Sequence, residues 1–234
     1  TNRLHIIGML APDTTIHDTA LLGLVETRDR EDLTRILRSF ELRFNGWWRS
    51  FGYPNAERFV RETDKIIAGK DLRSVVQSFT QFYETSMDQV TLDYHVMLVP
   101  RTAGGVTHNA QLGSHAQVEV YTDSTATDEL PAMLHETMHY MFRNMKPAAR
   151  ASLIEKFAES SDPKSIAAYG SVNEVVATVL GSGLIAKAVL GPEVFQQRIA
   201  SPSGLYHDKT VNGVSLAMLP EIQRLLSKGE KLSS

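Results

Sequence analysis

The sequence predicts an α+β fold that is predominantly helical and contains a small β-sheet. Three observations support this prediction: helical periodicity in the first third of the chain, two strand-like segments in the middle, and apolar helical segments from Thr127 onward. The chain has 234 residues, of which 42% are apolar and 22% charged. This is the composition of a globular protein that is long enough to bury its own core.

Residues 1–90 are predicted to form a helical N-terminal region. Apolar residues from Leu33 to Phe44 recur every three or four positions, and two similar runs follow. The adjacent Trp47 and Trp48 either anchor a corner of the core or line a groove, and the sequence leaves both interpretations open.

The middle of the chain predicts two strands. Residues 92–99 read LDYHVMLV and are ended by Pro100, while residues 116–121 alternate apolar and polar side chains. The segment between them, residues 101–113, is rich in Gly, Thr and Asn, and we expect a loop there.

Helical patterns resume in the remainder of residues 91–234. The predicted helices cover residues 127–144, 147–159, 171–190, 192–199 and 216–227. Thr127 is the predicted N-cap of the first, because Pro131 must lie within the first helical turn. The apolar run 175–191 is short for a membrane span and contains Lys187, so we expect a buried core helix.

Charge and composition exclude several classes of function. The net charge of −3 gives no global basic footprint, so we expect no nucleic-acid partner, and no membrane span is predicted. The chain has no cysteine, so only His, Asp and Glu side chains can bind a metal. The chain begins at Thr1 without a leader, and we expect a secreted or periplasmic protein, with the cytoplasm as the alternative. The oligomeric state stays open.

Residues 135–139 read HETMH, an HExxH motif inside a predicted helix. Because an α-helix has 3.6 residues per turn, His135 and His139 share one face and can offer two imidazole nitrogens to one metal ion. Glu136 lies about 100° around the helix, where it can take a proton from a metal-activated water. The alternative is a solvated helix with two surface histidines.

A catalytic zinc ion normally has three protein ligands, so a third is needed. His108 and His115 are candidates by residue type. The best candidate is Glu174, the single carboxylate near the start of an otherwise apolar helix, because a buried carboxylate is costly unless it is paired or binds a metal. Alternatively, Glu174 is only favoured by the helix dipole at that position.

An HExxH motif followed downstream by a helix bearing Asn-Glu resembles the gluzincin group of zinc metallopeptidases, the thermolysin-like clan. The match covers about residues 127–180. It implies a zincin-like metallopeptidase region over residues 91–234. It also implies one zinc ion per chain, with His135, His139 and Glu174 as ligands and Glu136 as general base.

Two residues near Glu174 bear on this resemblance. Asn173 matches the residue that often precedes the ligand glutamate in the group. Thr178 stands where the group often has an aspartate that orients a zinc histidine, so another acceptor is needed or the tuning of the metal differs.

Such peptidases also need a strand that pairs with the substrate and a donor for the oxyanion. We expect the strand at residues 116–121 to bind substrate as an edge strand, although an interior strand is the alternative. The substrate-binding residues are then Gln117, Val118 and Glu119. The candidate oxyanion donors are Tyr206, His207 and Tyr169.

The sequence therefore predicts a zinc-dependent peptidase that acts on a peptide or protein substrate. One alternative is a non-catalytic zinc-site or protein-interaction module, which would not need the acid at Glu136. A second is a zinc hydrolase of a non-peptide amide, which the same metal chemistry allows.

Overall fold

The computed structural model describes residues 27–86, 93–99, 109–112, 114–202 and 204–234. Within these ranges it contains nine α-helices, two π-helical segments and three strands, which confirms the predominantly helical α+β class. In chain order the elements are α1 (Thr27–Trp47), π1 (Trp48–Gly52), α2 (Tyr53–Ile67), α3 (Leu72–Phe82), β1 (Asp93–Val99), β2 (Asn109–Leu112), β3 (His115–Tyr121), α4 (Ala126–Arg143), α5 (Pro147–Glu159), α6 (Ser165–Ala177), π2 (Thr178–Ile185), α7 (Ala186–Leu190), α8 (Pro192–Ala200) and α9 (Lys209–Ser227).

The chain divides into two compact units, one ending at Arg58 and the other beginning at Phe59. This division does not coincide with the boundary at residue 90 that the change in sequence character suggested. The physical reason is that Phe59, Phe79 and Phe82 are buried in the same apolar cluster as the strands and helices that follow. The described part of the first unit consists of α1, π1 and the start of α2.

The sheet of the second unit has the strand order β1-β3-β2. β3 pairs in parallel with β1, from Asp93 opposite His115 to Val99 opposite Tyr121. β2 pairs with β3 in the antiparallel direction and lies in the segment that was expected to be a loop, so that prediction was wrong for its last residues. Four residues in a Gly- and Thr-rich stretch give too little periodicity to indicate a strand.

Helix α4 begins two residues earlier than predicted. Its N-cap is Thr125, not Thr127, and a capping box joins the Thr125 side chain to the backbone of Asp128 and the Asp128 side chain to the backbone of Thr125. Glu62 of α2 accepts a hydrogen bond from the backbone N–H of Ala126 at 3.2 Å. Pro131 consequently lies inside the helix rather than in its first turn.

The segments α6, π2 and α7 form one continuous helical run from Ser165 to Leu190. By length and composition this run could cross a membrane, but two thirds of its most apolar 18-residue stretch is buried inside the protein. All residues of π2 except Leu184 are buried, and π2 packs against α4 and α9. The structure confirms the expectation that residues 175–191 belong to a core helix.

Gly181 allows π2 to approach α4 backbone to backbone. A Cβ atom at this position would lie 2.6 Å from the Cα and N atoms of His135 and 2.6 Å from the carbonyl oxygen of Leu134. No side chain larger than hydrogen fits at that distance without a backbone shift. The segment that follows Glu174 is therefore held directly against the HExxH helix.

Candidate metal centre

The two motif histidines face each other on one side of α4. The ring centroids of His135 and His139 are 4.5 Å apart and the rings are perpendicular. The side chain of His135 is 6% exposed and that of His139 is 12% exposed. These values exclude the alternative of a solvated helix with two surface histidines. His135, His139 and Glu136 together present possible ligand atoms within 4.8 Å of one another.

Glu174 of α6 meets both histidines. Its Oε1 lies 3.1 Å from Nε2 of His135, and its Oε2 lies 3.4 Å from Nε2 of His139. The structure thus brings together the three residues that the sequence singled out as ligands. Both Glu136 and Glu174 are near the histidines, but only Glu174 has a carboxylate oxygen at each Nε2 in the described contacts.

Asn173 determines which nitrogen of His139 carries the proton. Its Oδ1 lies 3.1 Å from Nδ1 of His139. Because an amide oxygen can only accept a hydrogen bond, Nδ1 of His139 donates to it. Nε2 of the same ring faces the negative carboxylate of Glu174, so a proton on Nε2 or a cation between the two groups balances the charge.

His135 also faces the carboxylate of Glu174. Its Nε2 is close to Oε1 of Glu174, yet that buried oxygen makes no hydrogen bond of acceptable geometry. Nδ1 of His135 and the hydroxyl of Thr178 are also buried without a partner among the described residues. Two of these three unpartnered atoms lie at the imidazole of His135: its own Nδ1 and Oε1 of Glu174.

Two distances between nitrogen and oxygen donors are compatible with tetrahedral metal binding. Two ligands with bonds of about 2.0–2.1 Å to zinc lie about 3.3 Å apart at the tetrahedral angle. The observed distances of 3.1 and 3.4 Å from Glu174 to the two Nε2 atoms bracket that value. Two imidazoles and one carboxylate are also a donor set that zinc prefers. The residues present therefore fit a divalent metal ion.

Glu136 is a buried carboxyl group beside these ligands. Burial raises the pKa of Glu136 to about 7; the nearby His139 opposes this rise and the negative charge of Glu174 adds to it. A carboxyl with a pKa near neutrality can both accept and return a proton at physiological pH. This is the property that a general base needs.

The pKa values of His135, His139 and Glu174 reflect the close contacts between these three residues. Burial lowers the pKa of His135. Burial also opposes protonation of His139, but its hydrogen bonds to Glu174 and Asn173 prevail and raise its pKa. Burial opposes ionisation of Glu174, yet its contacts with His135, His139 and Tyr206 hold its pKa far below the usual value. Glu174 is thus ionised, and its contacts with the neighbouring side chains stabilise the negative charge.

Tyr206 and His207 lie at this site, whereas Tyr169 does not. The ring of Tyr206 stacks on His135 with centroids 5.5 Å apart, and its phenol hydrogen-bonds with Glu174. His207 is exposed and its ring centroid lies 4.4 Å from that of Tyr206. Tyr169 instead contacts Phe157 of α5, because a separation of five residues turns it about 140° away from Glu174 on α6. The structure gives Tyr169 a packing role.

The expectation of a substrate-binding edge at residues 116–121 was wrong for residues 116–118, which pair with β2, and for Glu119 it stays a prediction. β3 is the central strand, and Gln117 and Val118 are paired with β1 on one side and β2 on the other. Both side chains are almost fully buried. The backbone N–H of Glu119 donates to the side chain of Asn109. The alternating pattern indicated a strand correctly, but it carries no information about whether neighbours cover both edges.

Of the two histidines that were third-ligand candidates by type, His115 does not join the site. His115 lies on β3, where its Nδ1 is 3.0 Å from Nε2 of His95 on β1. His95 and Tyr94 point to opposite faces of the sheet, and Tyr94 points toward α4. The His95–His115 pair is therefore on the face away from the HExxH helix. His108 lies outside the described residues.

One residue that sequence reasoning missed fixes the HExxH helix to the sheet. The hydroxyl of Tyr94 donates to the carbonyl of Met133 at 2.9 Å and hydrogen-bonds with the hydroxyl of Thr137. Burial raises the pKa of Tyr94 to about 12, so it stays a neutral donor. Met133 and Thr137 lie on the side of α4 opposite the two histidines. No local pattern could have indicated this contact, because it joins residues about forty positions apart.

Comparison with protein-family models, curated proteins and solved structures gives no significant match. The function is therefore argued from the residues and geometry of this site alone.

Proposed function

We propose that the protein is a zinc-dependent peptidase of the gluzincin type, with a zincin-like core formed by the sheet and α4. One observation carries the proposal: two imidazole Nε2 atoms converge on the carboxylate of Glu174 in a buried site, and Glu136 adjoins them. A structural metal site needs no additional buried acid at that position. The presence of Glu136 therefore favours catalysis over a purely structural role.

His135, His139 and Glu174 would hold the zinc ion. Bound there, zinc would polarise the scissile carbonyl and lower the pKa of a water molecule. Asn173 fixes the tautomer of His139, and the backbone contact at Gly181 holds His135 in place. These contacts orient the ligands before metal or substrate arrives.

Glu136 would take a proton from the attacking water and pass it to the leaving amine. Its burial keeps the local dielectric low and its pKa near neutrality, which suits both steps. Tyr206 is the best placed donor for the oxyanion, because its phenol is neutral and lies against His135 and Glu174. His207 stands next to it as a second donor.

The substitution Glu136→Gln tests the proposal directly. It keeps the shape of the side chain and removes only the proton acceptor, so zinc content and thermal stability should stay nearly unchanged. Loss of a general base costs about 10²–10⁴-fold in rate, so we expect cleavage to fall at least about 100-fold. The assay is digestion of a peptide library read by mass spectrometry, because the substrate sequence is unknown.

The matched control is His139→Ala, which should lose zinc and activity together. Equal cleavage by wild type and Glu136→Gln would overturn the mechanism. No cleavage by zinc-loaded wild type across a broad library would favour the zinc-holding interaction module. Turnover of small non-peptide amides alone would favour the amide hydrolase.

A further inference from the structure

An aromatic cluster occupies the described part of the first unit. It consists of Phe44, Trp47, Trp48, Phe51 and Tyr53, and it surrounds the π1 segment at the end of α1. Neighbouring ring centroids are 6.0–6.5 Å apart, which is the range of favourable aromatic contacts. Gly52 leaves room for the two indole rings, since a Cβ there would meet both of them. The cluster is thus a packed arrangement and not a chance run of residues.

The cluster is packed internally but faces outward. Phe44 is 48% exposed, Phe51 is 45% exposed and Tyr53 is 54% exposed. Ile36, two turns before Phe44 on α1, is a further exposed apolar residue at 47%. Contiguous exposed apolar surface of this kind usually marks an interaction site.

The charge around the cluster has the opposite sign to that of the whole chain. Residues 36–53 contain three arginines, Arg38, Arg43 and Arg49, and a single acidic residue, Glu41. The chain as a whole carries a net charge of −3. Arg43 and Arg49 are exposed and lie within the stretch that carries the aromatic rings. The surface therefore combines apolar rings with a local positive charge.

We propose that this aromatic cluster binds the surface of an anionic phospholipid bilayer. Tryptophan and tyrosine favour the depth of the lipid headgroups, where one end of the ring is apolar and the other is wet. Amphipathic helices that lie in this layer combine Trp or Phe on one face with arginine at its rim. The arginines select negatively charged lipids over neutral ones. The proposal does not depend on the proposed peptidase activity.

The chain offers an internal reporter for this interaction. Trp47 and Trp48 are its only two tryptophans, so all tryptophan emission comes from the cluster. The full chain is mixed with vesicles of phosphatidylcholine containing phosphatidylserine, and separately with vesicles of phosphatidylcholine alone. We expect emission to shift to shorter wavelength, and the protein to sediment, with the anionic vesicles, and both effects to weaken as salt is added.

Two variants separate the apolar and charged contributions. Phe44→Ser with Phe51→Ser should weaken vesicle binding at least ten-fold. Because both rings pack against the tryptophans, circular dichroism and tryptophan emission without lipid check that the cluster keeps its fold. Arg43→Gln with Arg49→Gln should reduce the preference for anionic lipid at least ten-fold. The matched control is Ile154→Ser with Ile166→Ser, which removes exposed apolar side chains from the second unit and should bind like wild type.

Three results would overturn the proposal. The first is the absence of any spectral shift or sedimentation with anionic vesicles. The second is equal binding to neutral and anionic vesicles. The third is a concentration-dependent spectral shift without lipid, accompanied by dimers in sedimentation velocity, because the cluster would then be an interface between two copies of the chain.

Discussion

Two pairs of histidines lie at similar distances in this protein but in different surroundings. His135 and His139 have ring centroids 4.5 Å apart, and those of His95 and His115 are 5.1 Å apart. The first pair is buried on a helix and faces the carboxylate of Glu174. The second pair spans two strands, and one ring nitrogen hydrogen-bonds with the other.

The comparison shows that two pairs of neighbouring imidazoles can differ in the charges that surround them. In the sheet pair the partner of one histidine is the other histidine, so a proton between the two nitrogens satisfies both. In the helix pair both Nε2 atoms face a carboxylate, and Nδ1 of His139 is held by Asn173. Of the two pairs, the helix pair is the one that faces a negative charge, which a divalent cation or a proton on the ring would balance.

The largest effect is expected when one histidine of the helix pair is removed and the sheet pair serves as the control. His139→Ala removes one of three ligands and should weaken zinc binding at least about 100-fold, whereas His115→Ala should leave zinc content unchanged. Elemental analysis after dialysis against a weak chelator measures both. Retention of zinc in His139→Ala, or its loss in His115→Ala, would reverse the assignment.

The carboxylate distinguishes the two pairs, so its charge is the next target. Glu174→Gln keeps the size of the side chain but offers a neutral, poorer ligand, and zinc affinity should fall about 10–100-fold. Competition with a chromogenic chelator gives the affinity. If Glu174→Gln binds zinc as tightly as wild type, another residue is the third ligand and the gluzincin assignment is wrong.

A smaller effect tests the close backbone contact between π2 and α4 at the helix pair. Gly181→Ala places a methyl group 2.6 Å from the backbone of His135, and we expect a loss of about 1–2 kcal/mol in the free energy of unfolding. Gly170→Ala on the same helical run meets no atom within 4 Å and should stabilise by about 0.5–1 kcal/mol. Urea denaturation compares them. Equal stabilities would show that π2 is not held tightly against α4.

The sequence predicted the parts of the site that depend on local spacing. His135, Glu136 and His139 lie within two helical turns, so their shared surroundings follow from helix geometry alone. Glu174 could be singled out because a lone acid in an apolar helix needs a partner. The contact between Glu174 and both histidines confirms their proximity, while zinc binding stays a prediction.

Long-range contacts could not be predicted from the sequence. Pairing of β3 on both edges depends on β2, which is four residues long, and the start of α4 is supported by Glu62, more than sixty positions upstream. The bond from Tyr94 to the HExxH helix is of the same kind. Such contacts follow from how elements pack, and periodicity in one segment does not report which other segment it meets.

The π-helical segment π2 has a consequence for how the chain can vary in length. A π-helix closes its hydrogen bonds to the fifth residue along instead of the fourth, so each turn holds more residues than an α-helical turn. A π-turn therefore accommodates one residue more than the α-helix that flanks it. Deleting one residue between Thr178 and Ile185 would let the segment close as ordinary α-helix, and buried residues downstream, such as Val189, would keep nearly their present orientation. An insertion has no such compensation, so this stretch should tolerate the loss of one residue better than the gain of one.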